Sequence, residues 1–316
     1  MAVSGSAKAL QASPNMQVKR IMLLGAGGQV GRALQAEHLP KDWSLAALPR
    51  AECDINNYKV VQQAIERIEP DLLINAAAMT AVDKCETDHK AAMTSNFEAP
   101  GNLAAQCASR DIPLIHLSTD YVFDGADGTR PYRTDDAMNP LSVYGHSKMM
   151  GEEAVRHSLA WHVILRVSSV FSAFGPNILT KALQSIEERD ELRIVSDQIS
   201  CPTYAPDVAK ALIVMSDRIL SGRSDGYGTF HLGGTPEASR FEFVNEVMAS
   251  YASHTSRRPK IVAALSADFS GFAARPPYSV LDCSRINEIY EIKPKPWREG
   301  LTAAITALTQ ERRPSA

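Results

Sequence analysis

Tyr144 and Lys148, at the ends of the run Tyr144-Gly145-His146-Ser147-Lys148, have the types and spacing of one acid–base unit. Residues four apart share a face of a helix. A free tyrosine loses its proton at about pH 10. A neighbouring ammonium favours the phenolate and makes the hydroxyl a better proton donor near neutrality. Ser118-Thr119 ends an apolar run upstream, and its hydroxyls can hydrogen-bond a substrate carbonyl. Such a set suits carbonyl reduction. Tyr144 gives a proton to the oxygen as hydride reaches the carbon, and Thr119 and Lys148 stabilise the developing alkoxide. Lys148 can also hold a nicotinamide ribose.

Hydride needs a carrier, and Gly25-Ala26-Gly27-Gly28-Gln29-Val30-Gly31 follows the first apolar run. Gly25, Gly28 and Gly31 let a backbone approach a pyrophosphate. The helix that begins around Gln29 and Val30 then offers free N–H groups and a favourable dipole. An NAD-preferring site usually carries an acid at the end of the second strand. Here that region reads Leu48-Pro49-Arg50, with Arg32 just past the last glycine. Two guanidiniums near a 2′-phosphate favour NADPH, with NADH as the alternative. Asp54 and Ile55 fall where the adenine is contacted, and Ala76, Ala77 and Ala78, after Asn75, leave room for the cofactor. A glycine turn or a Tyr-x-x-x-Lys pair alone is common. Their order along the chain, with a strand-end Ser-Thr between them, gives each its weight.

The elements that must position these residues alternate. Strands are expected at Lys19–Leu24, Ser44–Leu48, Asp71–Ile74, Ile112–Leu117 and Trp161–Val167. Helices are expected at Val30–His38, Tyr58–Ile68, Lys90–Arg110 and Val143–His157. This alternation means parallel βαβ units and an α/β fold, a doubly wound parallel Rossmann sheet with a smaller C-terminal substrate-binding lobe. Residues 18–168 are mainly the dinucleotide-binding domain. Residues 169–316 are mainly the substrate lobe, with segments returning to the first domain. Residues 1–17, rich in Ala and Ser, read as a disordered leader without the apolar core of about 7–15 residues that a secretory signal needs.

A net charge of −3 leaves no basic footprint for nucleic acid or a membrane surface. The cysteines are dispersed with no Cys-x-x-Cys pair, which points to reduced thiols in the cytoplasm. No metal site is expected: Asp120, Asp124, Asp127, Asp135 and Asp136 read as a solvated acidic loop. His116 and His231 read as packed strand residues, and His146 as pointing off the catalytic face.

The motifs of residues 19–308 resemble the dTDP-4-dehydrorhamnose reductase family. The stretches that carry the resemblance are Asn75-Ala76-Ala77-Ala78, Thr80-Ala81-Val82-Asp83-Lys84 and Glu86, then Ser118-Thr119-Asp120-Tyr121-Val122-Phe123-Asp124-Gly125, and Asn139-Pro140 leading to Tyr144 and Lys148. Asp197-Gln198, Pro202-Thr203, Asp207, Arg275-Pro276, Ser279, Leu281 and Trp297 follow. The resemblance implies Thr119, Tyr144 and Lys148 as the catalytic set, and a sugar–nucleotide pocket lined by Thr80, Val82, Asp120 and Tyr121. It also implies a nucleotide-sugar substrate and a homodimer. Ser169 stands where the family tends to carry a tryptophan that contacts substrate, with Phe171 or Phe174 as candidate replacements. Tyr278 stands where an asparagine is frequent. A 4,6-dehydratase of the same superfamily would carry Asp-Glu after the strand-end threonine, whereas Asp120 is followed by Tyr121. An epimerase, and a non-catalytic binding subunit resembling the β subunit of methionine adenosyltransferase, are the other readings. The complete Thr119, Tyr144 and Lys148 set favours catalysis.

Overall fold

The computed structural model describes residues 18–311, so the leader expected over residues 1–17 lies outside the described residues. In chain order, β1 (Lys19–Leu24), α1 (Gln29–Ala36), β2 (Trp43–Leu48), α2 (Tyr58–Ile68) and β3 (Leu72–Asn75) come first. Then follow α3 (Val82–Thr87), α4 (His89–Met93), a π-helical turn (Thr94–Glu98), α5 (Ala99–Ala108), β4 (Leu114–Thr119), a 3-10 turn (Asp120–Val122), α6 (Val143–Ser158) and β5 (His162–Val167). The remainder is β6 (Val170–Phe171), α7 (Ile178–Glu188), β7 (Glu191–Val195), β8 (Ile199–Ser200), β9 (Thr203–Tyr204), α8 (Ala205–Leu220) and β10 (Gly228–Leu232). It closes with β11 (Ala238–Ser239), α9 (Arg240–Tyr251), β12 (Lys260–Ala264), α10 (Ser284–Tyr290) and α11 (Trp297–Glu311).

Six parallel strands form the main sheet in the order β2-β1-β3-β4-β5-β10. Its strands are apolar on both faces because side chains alternate and both faces are covered. Ile21 and Leu23 of β1 pack with α1, α8 and α10 on one side. Met22 and Leu24 pack with α2, α5 and α6 on the other. A third cluster, built from α7, α9 and α11 around Phe171, Phe243 and Trp297, is the core of the smaller lobe. The chain therefore has the doubly wound α/β fold. All five cysteines are unpaired and buried. Among the described residues no helix is long and apolar enough to cross a membrane.

The strand order places β1 between β2 and β3. The connections leaving β1 and β3 diverge there, and a crevice opens at the carboxyl ends of the strands. The glycine turn after β1 and the alanines after β3 flank that crevice.

Two expectations are corrected. The helix read over Lys90–Arg110 is interrupted by the π-helical turn, which carries the fully buried Asn96. Its amide bonds both backbone groups of Met79, at 2.8 and 3.0 Å, and the Ser147 hydroxyl at 3.0 Å. That wider turn ties the loop after β3 to α6. β4 runs two residues later than the apolar run Ile112–Leu117, because Ser118 and Thr119 pair in register with Arg166 and Val167.

Candidate active site

The reaction-centre residues lie at the end of β4 and the start of α6. The Ser142 hydroxyl caps α6, accepting from the Gly145 N–H at 3.1 Å. A Cβ on Gly145 would lie 2.2 Å from the Tyr121 carbonyl oxygen, so only glycine lets α6 start this close beneath the 3-10 turn. That approach sets Tyr144 against Thr119. Burial pushes the Tyr144 phenol up from its ordinary pKa, and a hydrogen bond with Thr119 pulls the other way. Lys148 is buried on the same face of α6, and its Nζ donates to the Leu117 carbonyl at 2.7 Å. Burial draws its ammonium down to about 8, with Glu152 opposing the fall. His146 is exposed on the opposite face.

The glycine turn forms the second wall. Gly25 has φ of +81°, and a Cβ there would sit 2.6 to 2.8 Å from backbone atoms of Ala76 and Ala77. The two loops at the switch point therefore touch through bare backbone. Gly27, by contrast, faces open space. Gln29 ties the turn to the second half of the chain: its Nε2 donates to the Val170 carbonyl at 3.3 Å, and its Oε1 accepts from Ser172 at 2.9 Å. Gly28, Val30, Ala78, Asp54 and Ile55 line the same cleft. Gly31 packs inward instead, where a Cβ would meet the Gly25 carbonyl oxygen at 2.3 Å. Arg50 lines the cleft with a largely exposed side chain, 3.2 Å from Asp54. Exposed pairs of this kind are weak, so the guanidinium can turn to a phosphate. Arg32, expected at the cofactor, does not itself line the cleft: it is exposed and lies over the ring of Phe174, a lining residue, at 4.5 Å.

These residues fit a dinucleotide. The turn is tightly packed where side chains would obstruct, and the first-turn N–H groups of α1 have no partners within the helix. The cleft encloses about 1830 Å³, more than one drug-sized ligand occupies. A dinucleotide and a second nucleotide can lie in it together.

Its far side carries Thr80, Val82, Tyr121 and Ser169. The Tyr121 hydroxyl accepts from Arg240 at 3.1 Å. Asp120 borders the cleft but is spent internally, accepting from Thr119, Ser168 and Ser279 at 3.1, 2.8 and 2.6 Å. Burial raises its pKa, and these bonds offset part of the rise. Its role is to hold three segments around the reaction centre. Ser169 has φ of +43° and shares a hydrogen bond with Ser200 at 2.8 Å. Phe171 is wholly buried against Tyr204 and Phe243, so it cannot offer a stacking surface to substrate. Phe174 does face the cleft.

A family model described as the RmlD substrate binding domain matches residues 19–310. Over 293 residues the chain is 38% identical to a dTDP-4-dehydrorhamnose reductase of Sinorhizobium fredii, a match spanning 92% of this chain and 98% of that one. The chain belongs to the dTDP-4-dehydrorhamnose reductase family. A solved dTDP-4-dehydrorhamnose reductase from Clostridium acetobutylicum superposes with a TM-score of 0.84 at 31% identity, covering 92% of this chain and 99% of the other. One from Bacillus anthracis, solved in complex with NADP, gives 0.81 at 31% identity with the same coverage.

As a member of the dTDP-4-dehydrorhamnose reductase family, the chain adds three basic residues its motifs did not signal. Lys181, Arg193 and Arg240 reach the substrate side of the cleft from α7, β7 and α9. Single basic residues in separate elements leave no sequence pattern. Arg275 clamps Asp83 with two contacts of 2.9 Å, joining the two halves of the chain at the cleft lining. The acidic loop is internally paired: Arg130 holds Asp136 at 2.7 Å, and Asp124 accepts from Tyr132 and Asn139. Among the described residues no cluster of three or more His, Cys, Asp or Glu side chains is arranged to hold a metal ion.

Proposed function

We propose that this protein reduces the 4-keto group of a nucleotide-linked deoxy-sugar with NADPH, as a dTDP-4-dehydrorhamnose reductase or a close ketoreductase. The observation that carries the reading is the placing of Thr119, Tyr144 and Lys148 together on the wall of a cleft whose other wall is the glycine turn. When bound, the nicotinamide supplies hydride.

The residues do the rest. Thr119, whose hydroxyl donates to Asp120 in the free protein, turns that donor to the carbonyl oxygen and holds it beside the Tyr144 hydroxyl. Tyr144 passes its proton to that oxygen as charge develops. Lys148 as ammonium favours the resulting phenolate. The glycine turn and the first-turn N–H groups of α1 hold the pyrophosphate, and Arg50 and Arg32 favour a 2′-phosphate. Lys181, Arg193 and Arg240 complement the diphosphate of the sugar nucleotide. Residues 18–168 mainly serve the cofactor and residues 169–316 mainly the substrate, with β10 returning to the sheet. A homodimer in the cytoplasm belongs to the same reading, and light scattering on the purified protein checks the assembly.

The test is loss of NADPH absorbance with purified protein and dTDP-4-keto-6-deoxy-L-mannose generated in situ, with Tyr144→Phe as control. Turnover abolished by the substitution supports the reading. NADPH binding without turnover overturns this choice of sugar.

A further inference from the structure

Lys148 has a second partner that the reaction above does not use. Its Nζ lies 3.2 Å from Nε2 of His116, a wholly buried residue of β4. The Nδ1 of the same ring lies 3.0 Å from Nδ2 of Asn75, at the end of β3. The Asn75 amide is held one way round, because its Oδ1 accepts the Ala77 N–H at 3.1 Å. It therefore presents its NH2 to His116, and Nδ1 must accept. Burial, with the Lys148 charge second, holds the imidazole neutral. A neutral ring that accepts at Nδ1 carries its proton on Nε2. That proton faces Lys148, and the contact is a hydrogen bond only if Nζ offers a lone pair.

We propose that Asn75 and His116 are positioning residues that stabilise Lys148 as the amine in the free protein and so set the alkaline edge of its ammonium form. The kinetic half of this inference rests on the reductase reading; the proton equilibrium itself does not. Other charged and titratable groups surround the pair. Tyr144 and Glu152 share α6 with Lys148. Glu152 is engaged by Arg156 of the same helix and by Arg166 of β5. Cys85 of α3, Asp120 and Tyr121 act on Tyr144. Glu152 favours the ammonium, while His116 and burial favour the amine.

The test uses the full chain carrying 13C-labelled lysine, following the Lys148 Cε resonance against pH, with the pH profile of kcat alongside. The wild-type midpoint is expected near 8. Asn75→Asp replaces the NH2 facing His116 with an acceptor and leaves the other oxygen for Ala77. The ring then carries its proton on Nδ1 and offers bare Nε2 to an ammonium. The Lys148 midpoint should rise by about one pH unit. An unchanged midpoint overturns the proposal, whatever other variants do.

The new carboxylate could also act directly through space. Repeating Asn75→Asp in a His116→Leu background separates the two effects. The relay requires the shift to shrink by at least half without the ring; an undiminished shift overturns it. Midpoints that move as described in a protein without turnover on the sugar leave the relay standing and overturn that choice of sugar. A kcat profile whose alkaline limb follows the NMR midpoint supports both.

Discussion

Arg166 grips Glu152 with Nε and Nη2 at 2.9 and 2.7 Å, both side chains almost wholly shut off from water behind the reaction centre. Burial alone would raise the Glu152 carboxyl, but Arg166 and Arg156 hold it below the usual range. Removing one partner of such a pair strands a buried charge. Arg166→Met is expected to cost about 3–5 kcal/mol, and a thermal melt should show Tm lower by on the order of 10 °C. A melt within a degree or two of wild type would mean that Glu152 finds water or another cation.

His231 is neutral for a geometric reason. Its Nδ1 faces the Tyr132 carbonyl at 3.1 Å, so that nitrogen donates, and its Nε2 accepts from Arg166 at 3.2 Å. Burial and the Arg166 charge depress its pKa to about 3. The unfolded chain protonates this residue at about 6.5, so below that pH it binds more protons than the folded one. The contribution is complete above about 6.5 and is lost as the pH falls towards 3. At pH 5 the loss amounts to about 2 kcal/mol. Melts from pH 7 to pH 5 should show this decline, and His231→Gln should flatten part of it.

Tyr144→Phe removes the proton donor while keeping the ring. Turnover should fall by about 10²–10⁴-fold, with NADPH affinity, read by fluorescence titration, within about twofold of wild type. Substantial activity in this variant would move the proton donor elsewhere.

Arg50 offers an exposed guanidinium whose one ion pair among the described residues is with Asp54. A hydrogen bond to a charged group contributes about 1.5–3 kcal/mol. Arg50→Ala should therefore raise the KM for NADPH at least about tenfold and leave that for NADH unchanged. Equal losses for both cofactors would place Arg50 off the 2′-phosphate.

The parts legible in the sequence are those where one local signal decides the structure. β1 and α2 have the bounds their apolar periodicity indicates, because each meets only its own neighbours in the sheet or on its face. The glycine turn and the Tyr144–Lys148 spacing were readable because a turn and a helix fix their geometry locally. What escaped depends on distant partners. The π-helical turn exists because Asn96 meets Met79 and Ser147. β4 runs on through polar Ser118 and Thr119 because β5 lies beside them. Phe171 looked available for stacking, yet Phe243 and Tyr204 enclose it. His116 reads from sequence as a packed strand residue, and it is one. Only the positions of Asn75 and Lys148 on either side of it give its ring a direction.

The sheet has an odd assembly order. Its last strand, β10, pairs with β5 in parallel register from Gly228↔Val163 to Leu232↔Val167, some sixty residues after β5 ends. A growing chain completes the glycine turn, Thr119, Tyr144 and Lys148 while β5 is still an open edge of apolar residues. Such edges invite pairing with other chains. Truncation before Gly228 would keep every reacting side chain and still leave a sticky, half-built enzyme. The reaction centre comes early in synthesis, but protection against aggregation comes late.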